Sequence, residues 1–209
     1  MKYLSLIILF TILQVISGIS SAEDAEKVTT KVTSPFDILP FVLPKMEPTL
    51  YTGYRKNWSR LTGFEYSGLH WQQFVSIYVN KGANIYRDNY LAYLSLYRDE
   101  DDDDDEEEEE TTDTFQEYEL GTIFLKENYL AHAGKPGQPS SLTIMIKRKP
   151  GFDVKGGNWE YLQTDIKGDV IMQGNSTNPQ IKQACSECHA NMAERDYVFS
   201  TFLTSKFNR

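Results

Sequence analysis

Three side chains that can bind a metal or a cofactor lie close together near the C-terminus. Cys185, Cys188 and His189 occupy the stretch ACSECHAN, which contains the only two cysteines of the 209-residue chain. Thiolates and imidazole bind metals, and thiols also form disulfides and covalent bonds to cofactors. Four interpretations therefore compete: a disulfide, a zinc site, a thiol redox pair and covalent attachment of haem.

The spacing of the three residues argues against the first three interpretations. Two residues of separation within a predicted helix is poor geometry for a disulfide, and the closed loop would be too small to stabilise the fold much. A structural zinc site needs four ligands, and a second pair of Cys or His ligands is missing. A redox pair of the thioredoxin type belongs to an alternating strand and helix pattern, which this sequence lacks.

The order Cys-x-x-Cys-His is that of the c-type haem attachment motif. In such sites the two thiols add across the haem vinyl groups, and the adjacent imidazole binds the iron. We therefore predict one haem c held by Cys185 and Cys188, with His189 as the iron ligand. A sixth ligand would make the protein an electron carrier, whereas an open iron position, which we prefer, suits a gas binder or an enzyme. The candidate sixth ligands lie upstream: His70, His132, Met46, Met145 and Met172.

The N-terminus has the pattern of a secretory signal peptide. Met1 and Lys2 precede the apolar run YLSLIILFTILQVISGI, and small residues end this segment at Ala22. We predict a signal peptide over residues 1–22 and a mature chain that starts near Glu23. A single anchoring helix is the alternative, because the run approaches the length of a short membrane span. Cleavage would give a periplasmic or secreted protein with no membrane segment.

One acidic run dominates the net charge of −9. Residues 99–110, DEDDDDDEEEEE, carry twelve acidic groups, and the other 18 of the 30 acidic residues are balanced by 21 basic ones. Like charges repel and leave nothing apolar to bury, so we predict an acidic disordered insertion over 99–113. The run lacks the spaced pattern of a calcium loop. The absence of a basic patch argues against a nucleic-acid partner.

The elements that must position the motif are predicted to form an α+β fold, mainly an antiparallel sheet with a few helices. Repeated prolines predict an extended N-terminal arm over 23–50, followed by a haem domain over 51–209. A helix is expected just before the acidic run, and KPGQPSS (135–141) is expected to be a loop. Strand patterns occur in HWQQFVSIYVN (70–80), YELGTIFLKENYLAHAG (118–134) and SLTIMIKRKPGF (141–152). The stretch DVKGGNWEYLQTD (153–165) is expected to be a turn followed by a short strand.

A helix is also predicted around the cysteines. Ser176, Thr177 and Asn178 are good cap residues and Pro179 suits the first helical position, so a helix of about ten to fifteen residues should begin there. The helix would carry both cysteines and His189. The final stretch, YVFSTFL (197–203), is expected to pack as a strand or a tail.

Four segments together resemble the cytochrome P460 family and the related cytochrome c′-beta proteins. They are HWQQFVSIYVN, YELGTIFLKENY, LTIMIKRKPGFDVKGGNWEYL and CSECHANMAERDYVFSTF, and the resemblance spans residues 65–203 apart from the acidic run. It implies a homodimer with a C-terminal haem c. For the P460 proteins proper, the resemblance implies a lysine cross-linked to the porphyrin and a five-coordinate iron. It also implies that the protein oxidises hydroxylamine to nitrogen oxides and passes the electrons to a redox partner protein.

The resemblance also suggests roles for individual residues. Lys126 is the candidate for the cross-link, although an ordinary surface lysine is the alternative. Asp153 is the candidate proton acceptor, with Glu127 as the second choice, and Phe124 and Phe152 are candidates for the apolar wall of the site. The family enzymes also have an arginine on the distal side of the haem. This chain has no evident counterpart, because Ser76 occupies the position where the arginine was expected.

Three functions follow as alternatives. The first is a haem enzyme that oxidises hydroxylamine. The second is a nitric oxide binding protein like the c′-beta relatives, without the cross-link and without catalysis. The third is a simple periplasmic electron-transfer cytochrome, which would have a six-coordinate iron.

Overall fold

The protein is described by a computed structural model that covers residues 40–96 and 114–200. The predicted signal peptide, the first part of the predicted arm and the acidic insertion lie outside the described residues. Within the described residues, seven strands form one antiparallel sheet. The strands are β1 (Ser59–Arg60), β2 (Glu65–Ser67), β3 (Gln73–Val79), β4 (Ile123–His132), β5 (Lys135–Lys147), β6 (Trp159–Asp165) and β7 (Val170–Gly174).

The strand order is β1-β3-β4-β5-β6-β7, and β2 also pairs with β3. The helices are few, and the sheet with these helices confirms the predicted α+β class. They are α1 (Tyr54–Asn57), α2 (Ala83–Ser95), two 3₁₀ turns (Pro48–Tyr51 and Val154–Gly156) and a C-terminal helix over 179–195. No helix in the described part of the chain is long and apolar enough to cross a membrane.

Strand β4 shows how the sequence gives the sheet two buried faces. Successive side chains of a strand point to opposite sides. Leu125 therefore belongs to one core, together with Ile144 and Leu162 of the neighbouring strands. Phe124 belongs to the other core, and Lys126 shares its side of the strand. Because both faces are covered, Ile123, Phe124 and Leu125 are all buried although successive side chains point to opposite sides.

The first core lies between the sheet and the N-terminal residues. Phe41, Tyr51 and Tyr54 are all at most 2 % exposed and pack there. Residues from 40 onward, the end of the predicted arm, therefore pack against the sheet. On the same face, the buried carboxylate of Glu127 accepts hydrogen bonds from Tyr54 Oη, from Arg55 Nε at 2.6 Å and from Tyr129 Oη at 2.7 Å.

The second core lies between the other face and the later helices. Tyr86 of α2, Ile181 of the C-terminal helix and Val198 behind that helix pack against Phe124 and Trp159. Val198 shows that the described part of the predicted final segment forms a packed tail.

The prediction of a loop over KPGQPSS was wrong, because these residues form the first half of β5. Pro136 pairs with Ala131 and Pro139 pairs with Tyr129 of β4, next to register shifts in the ladder. The pairing of β5 with β6 starts only at Ser141. Proline is tolerated because this half of β5 has a free edge, where no backbone N–H is needed.

The predicted helix start was confirmed. Asn178 is the N-cap, its side chain accepts from the backbone N–H groups of Gln180 and Ile181, and Pro179 takes the first turn. The helix is not uniform, since residues Lys182–Ser186 form a π-helical turn. Such turns often occur at functional sites, and this one contains Cys185.

Candidate functional site

A cavity of about 430 Å³ lies between the second face of the sheet and the C-terminal helix. Its floor is made by side chains of β3 to β6, among them Ile77, Phe124, Met145 and Tyr161. One wall is the C-terminal helix, and the opposite wall comes from the residues around the β2–β3 turn. A mostly apolar cavity of several hundred Å³ with a few polar groups is typical of a cofactor site.

The cysteines of the motif line this cavity together with His189. Both thiols are free, with Cys185 half-buried and Cys188 more exposed. Burial raises the pKa of Cys185, whereas the positive charge of Lys126 acts to lower this pKa. No group of three His, Cys, Asp or Glu residues within 40–96 and 114–200 is arranged to hold a metal ion.

The imidazole ring of His189 is held by one hydrogen bond and by two aromatic neighbours. Its Nδ1 lies 2.7 Å from the carbonyl oxygen of Tyr197, and a carbonyl only accepts, so Nδ1 carries the proton. The ring packs edge-on against Tyr161 and Phe199, with centroids 5.6 and 5.2 Å away. The pKa of His189 is lowered to about 4, mainly by burial. The hydrogen bond with Tyr197 opposes this change, and the nearby charge of Lys126 adds to it. Nε2 of the neutral ring is therefore left as a ligand.

The carbonyl that orients His189 is itself held by a buried ion pair. Asp196 and Tyr197 have positive φ angles of 52° and 65°, so two consecutive residues are left-handed. The Asp196 carboxylate accepts from Lys147 Nζ at 2.5 and 2.6 Å, from Tyr118 N at 2.8 Å and from Trp159 Nε1 at 3.3 Å. Burial raises the pKa of Asp196, and the bonds from Lys147, Tyr118 and Trp159 oppose this rise.

Lys126 lies in the same cavity as the two thiols and His189. It sits on the inner face of β4, between Ile77 of β3 and Thr143 of β5. Burial lowers the pKa of Lys126 to about 7, and the negative charges of Cys185 and Cys188 oppose this change. Of the lysines within the described ranges, Lys126 is the one that lines the cavity.

The structure separates the other predicted site residues into two groups. Phe124 is 6 % exposed, lines the cavity and packs edge-on against Tyr118 at 5.0 Å. Phe152 is 39 % exposed and lies outside the cavity lining. Asp153 is also outside the lining: its carboxylate accepts from Gly156 N, Ser176 N and Ser176 Oγ and so fixes a turn.

Two further residues of the prediction lie on the opposite face of the sheet. Glu127 follows Lys126 and belongs to the buried cluster with Tyr54 and Arg55. Ser76 accepts a hydrogen bond from Arg60 Nε at 3.1 Å, on the side of the sheet away from the cavity. Neither residue lines the cavity.

Three residues that line the cavity or orient His189 were missed or undervalued from the sequence. Tyr161 contacts His189 with its ring, and Tyr197 contacts it with its backbone carbonyl. Of these two, Tyr197 alone had a signal in the sequence, through the DYVF stretch behind the motif. His70 lines the cavity, and Ser67 Oγ lies 2.7 Å from its Nδ1. Burial lowers the pKa of His70 to about 3, and the positive charges of Lys126 and His189 lower it further.

These residues fit a covalently bound haem. Both thiols open into one apolar cavity and the adjacent histidine is held in the tautomer that can bind iron through Nε2. The fold places this cavity between an antiparallel sheet and a C-terminal helix that carries the Cys-x-x-Cys-His motif. In a comparison with protein families, residues 102–200 match the model of the family described as Cytochrome P460. This part of the chain is therefore similar to the P460-type cytochromes, a similarity that implies haem c. The comparison with curated proteins gave no match.

Proposed function

We propose that the chain is an exported mono-haem cytochrome of the P460 type that oxidises hydroxylamine to nitrogen oxides. Cys185 and Cys188 would hold the haem covalently, and His189 would be a ligand of its iron. The bound haem supplies an iron atom at which a small nitrogen compound can bind and lose electrons. The observation that carries the proposal is the presence of the Lys126 amine in the same cavity as both thiols and His189.

Lys126 distinguishes the enzyme from the other functions. With haem bound, the Lys126 amine would be the group that forms a further covalent bond to the porphyrin. This bond would replace one N–H and one C–H bond, so its formation would release two protons and two electrons and would need a two-electron oxidant of the peroxide class. The position of Lys126 supports its assignment as the cross-linking residue. It lies on β4 in the middle of the sheet, and its side chain lines the cavity between the C-terminal helix and the β2–β3 turn.

The reaction also removes protons and electrons from hydroxylamine. The electrons pass to a redox partner protein, and a homodimer is the expected assembly. Asp153, the proton acceptor that the sequence suggested, is occupied by three hydrogen bonds outside the cavity lining. Among the described lining residues, Glu65 provides a carboxylate that can accept a proton.

A nitric oxide binding protein is the second candidate. The observation that favours it is the position of Asp153 outside a cavity whose wall contains Phe124 and other apolar side chains. An apolar pocket holds a small neutral gas without the need for a carboxylate. In this case Lys126 would remain a free amine.

An absorption spectrum of the purified holoprotein tests the proposal. We expect a strongly red-shifted Soret band in the reduced protein and haem that stays attached to a peptide containing Lys126 after proteolysis. Lys126→Met should abolish the shift and the attachment, whereas the exposed helix residue Lys182 provides the control, Lys182→Met. A five-coordinate high-spin spectrum without the shift would favour the gas binder, and a low-spin spectrum the electron carrier.

Activity is measured separately, as reduction of an artificial electron acceptor that depends on hydroxylamine. The wild-type protein should show it, and Lys126→Met should lose it. Export is tested on the mature protein, whose N-terminal sequence should begin near Glu23. A protein that starts at Met1 would contradict the predicted cleavage.

A further inference from the structure

His70 lies on the wall of the cavity that faces the C-terminal helix. It belongs to the turn between β2 and β3, and it lines the same cavity as His189 and Lys126. Trp71 and Gln72, the next two residues, have positive φ angles of 56° and 57°. Two consecutive non-glycine residues in this region are strained, and such strain is often kept at functional sites. Here it folds the turn back over the sheet.

The strand order places His70 and His189 on opposite sides of the cavity. His189 packs on Tyr161 of β6, whereas His70 lies three residues before the start of β3. Three strand spacings separate β6 from β3 in the sheet order, which corresponds to about 14 Å across the strands. Lys126 on β4 rises between them. A flat ring bound by His189 from one side would therefore present its other face to His70.

One ring nitrogen of His70 forms a hydrogen bond within the described part of the chain, and the other forms none there. Ser67 Oγ lies 2.7 Å from Nδ1, and no hydrogen bond of Nε2 to another described residue is seen. The hydroxyl of Thr62, another polar group of this wall, is engaged elsewhere. Thr62 Oγ1 donates to Gly63 O and accepts from Ile77 N.

We propose that His70 is the residue that hydrogen-bonds, through Nε2, to the small molecule bound at the haem face opposite His189. Ser67 is the positioning residue, because a hydroxyl that donates to Nδ1 leaves Nε2 as the N–H donor. This inference rests on the proposed haem site and on an open iron position. It concerns the recognition of the ligand and does not require that the protein turns over hydroxylamine.

The test uses carbon monoxide bound to the reduced holoprotein, because a hydrogen bond to this ligand lowers its C–O stretching frequency. His70→Leu should raise the frequency and increase the dissociation rate of carbon monoxide by about tenfold, the effect of losing one hydrogen bond. Ser67→Ala keeps the imidazole and should give a smaller change. His132→Leu is the matched control, because His132 is exposed at the end of β4 outside the cavity, and it should change neither quantity.

Each outcome separates this inference from the proposed function. A frequency and rate that stay the same in His70→Leu, with haem bound and an unchanged unfolding temperature, would overturn the role of His70. A wild-type low-spin spectrum that becomes high-spin in His70→Leu would overturn it too, because His70 would then be an iron ligand. Protein without covalent haem would refute the proposed function itself. Loss of hydroxylamine oxidation alone, with the carbon monoxide shift retained, would leave the inference standing.

Discussion

The buried pair of Lys147 and Asp196 offers the sharpest test of how the fold holds the site. The two side chains are 10 % and 3 % exposed. Removing one partner of a buried ion pair typically costs about 3–5 kcal/mol, because the remaining charge has no compensation. Asp196→Asn is a suitable change, since Asn has the same shape as Asp and also tolerates the left-handed conformation. Its effect therefore reports on the charge and not on the backbone.

The expected magnitude follows from the partners of Asp196. Asn keeps an oxygen that can accept from Tyr118 N, but it leaves the Lys147 ammonium without a counter-charge. The ammonium retains its position 5.1 Å from the centre of the Trp159 ring. We therefore expect the lower end of the range, a loss of about 3 kcal/mol in the free energy of unfolding. For a domain of this size the loss corresponds to a fall in Tm of about 6–12 °C.

Thermal and urea unfolding of the holoprotein, followed by circular dichroism, measure this loss. The control is Asp169→Asn, which removes the charge from the surface pair of Lys45 and Asp169, whose side chains are 61 % and 56 % exposed. Exposed pairs contribute about 0–1 kcal/mol, so the control should change stability little. If Asp196→Asn were no more destabilising than Asp169→Asn, the interpretation of Asp196 as a buried anchor would be refuted.

Two further predictions concern other parts of the fold. Glu127→Gln removes the charge that the buried carboxylate provides for Arg55, so it should cost about 3 kcal/mol in urea unfolding. Glu119→Gln, at the exposed pair with Lys81, is its control, and equal losses would contradict the assignment. Gly157→Ala should destabilise more than Gly134→Ala. Both glycines have positive φ, but an added Cβ at 157 would lie 2.4 Å from the Tyr197 ring whereas nothing lies within 4 Å at 134. Equal unfolding midpoints would show that the Tyr197 ring moves freely.

Local patterns in the sequence were sufficient for the parts of the site that depend on neighbouring residues. The Cys185, Cys188 and His189 spacing, the Asn178 cap and the alternation of β4 are all read within a few residues. Phe124 and Lys126 are two residues apart on one strand, so their side chains lie on the same face, and both line the cavity. The resemblance to the P460 family was needed to select Lys126 from the other lysines.

Contacts between distant segments decided what the sequence did not predict. Asp153 looked like a free carboxylate beside a turn, but its partner Ser176 lies 23 residues further along the chain. The two prolines of KPGQPSS indicated a loop, because the partner strand that permits them could not be read from the same segment. The partner of Asp196 is 49 residues away in Lys147, so a buried ion pair at this point had no local pattern.

The two faces of the proposed haem site therefore depend on the fold in different ways. The His189 side is fixed over long range, since its hydrogen-bond acceptor Tyr197 follows a corner that Lys147 and Trp159 of the sheet hold in place. The His70 side is fixed locally, by a hydroxyl three residues earlier in the same turn. A change such as Asp196→Asn should therefore disturb the proximal ligand together with global stability. Ser67→Ala should alter the distal face while the unfolding temperature stays close to that of the wild type.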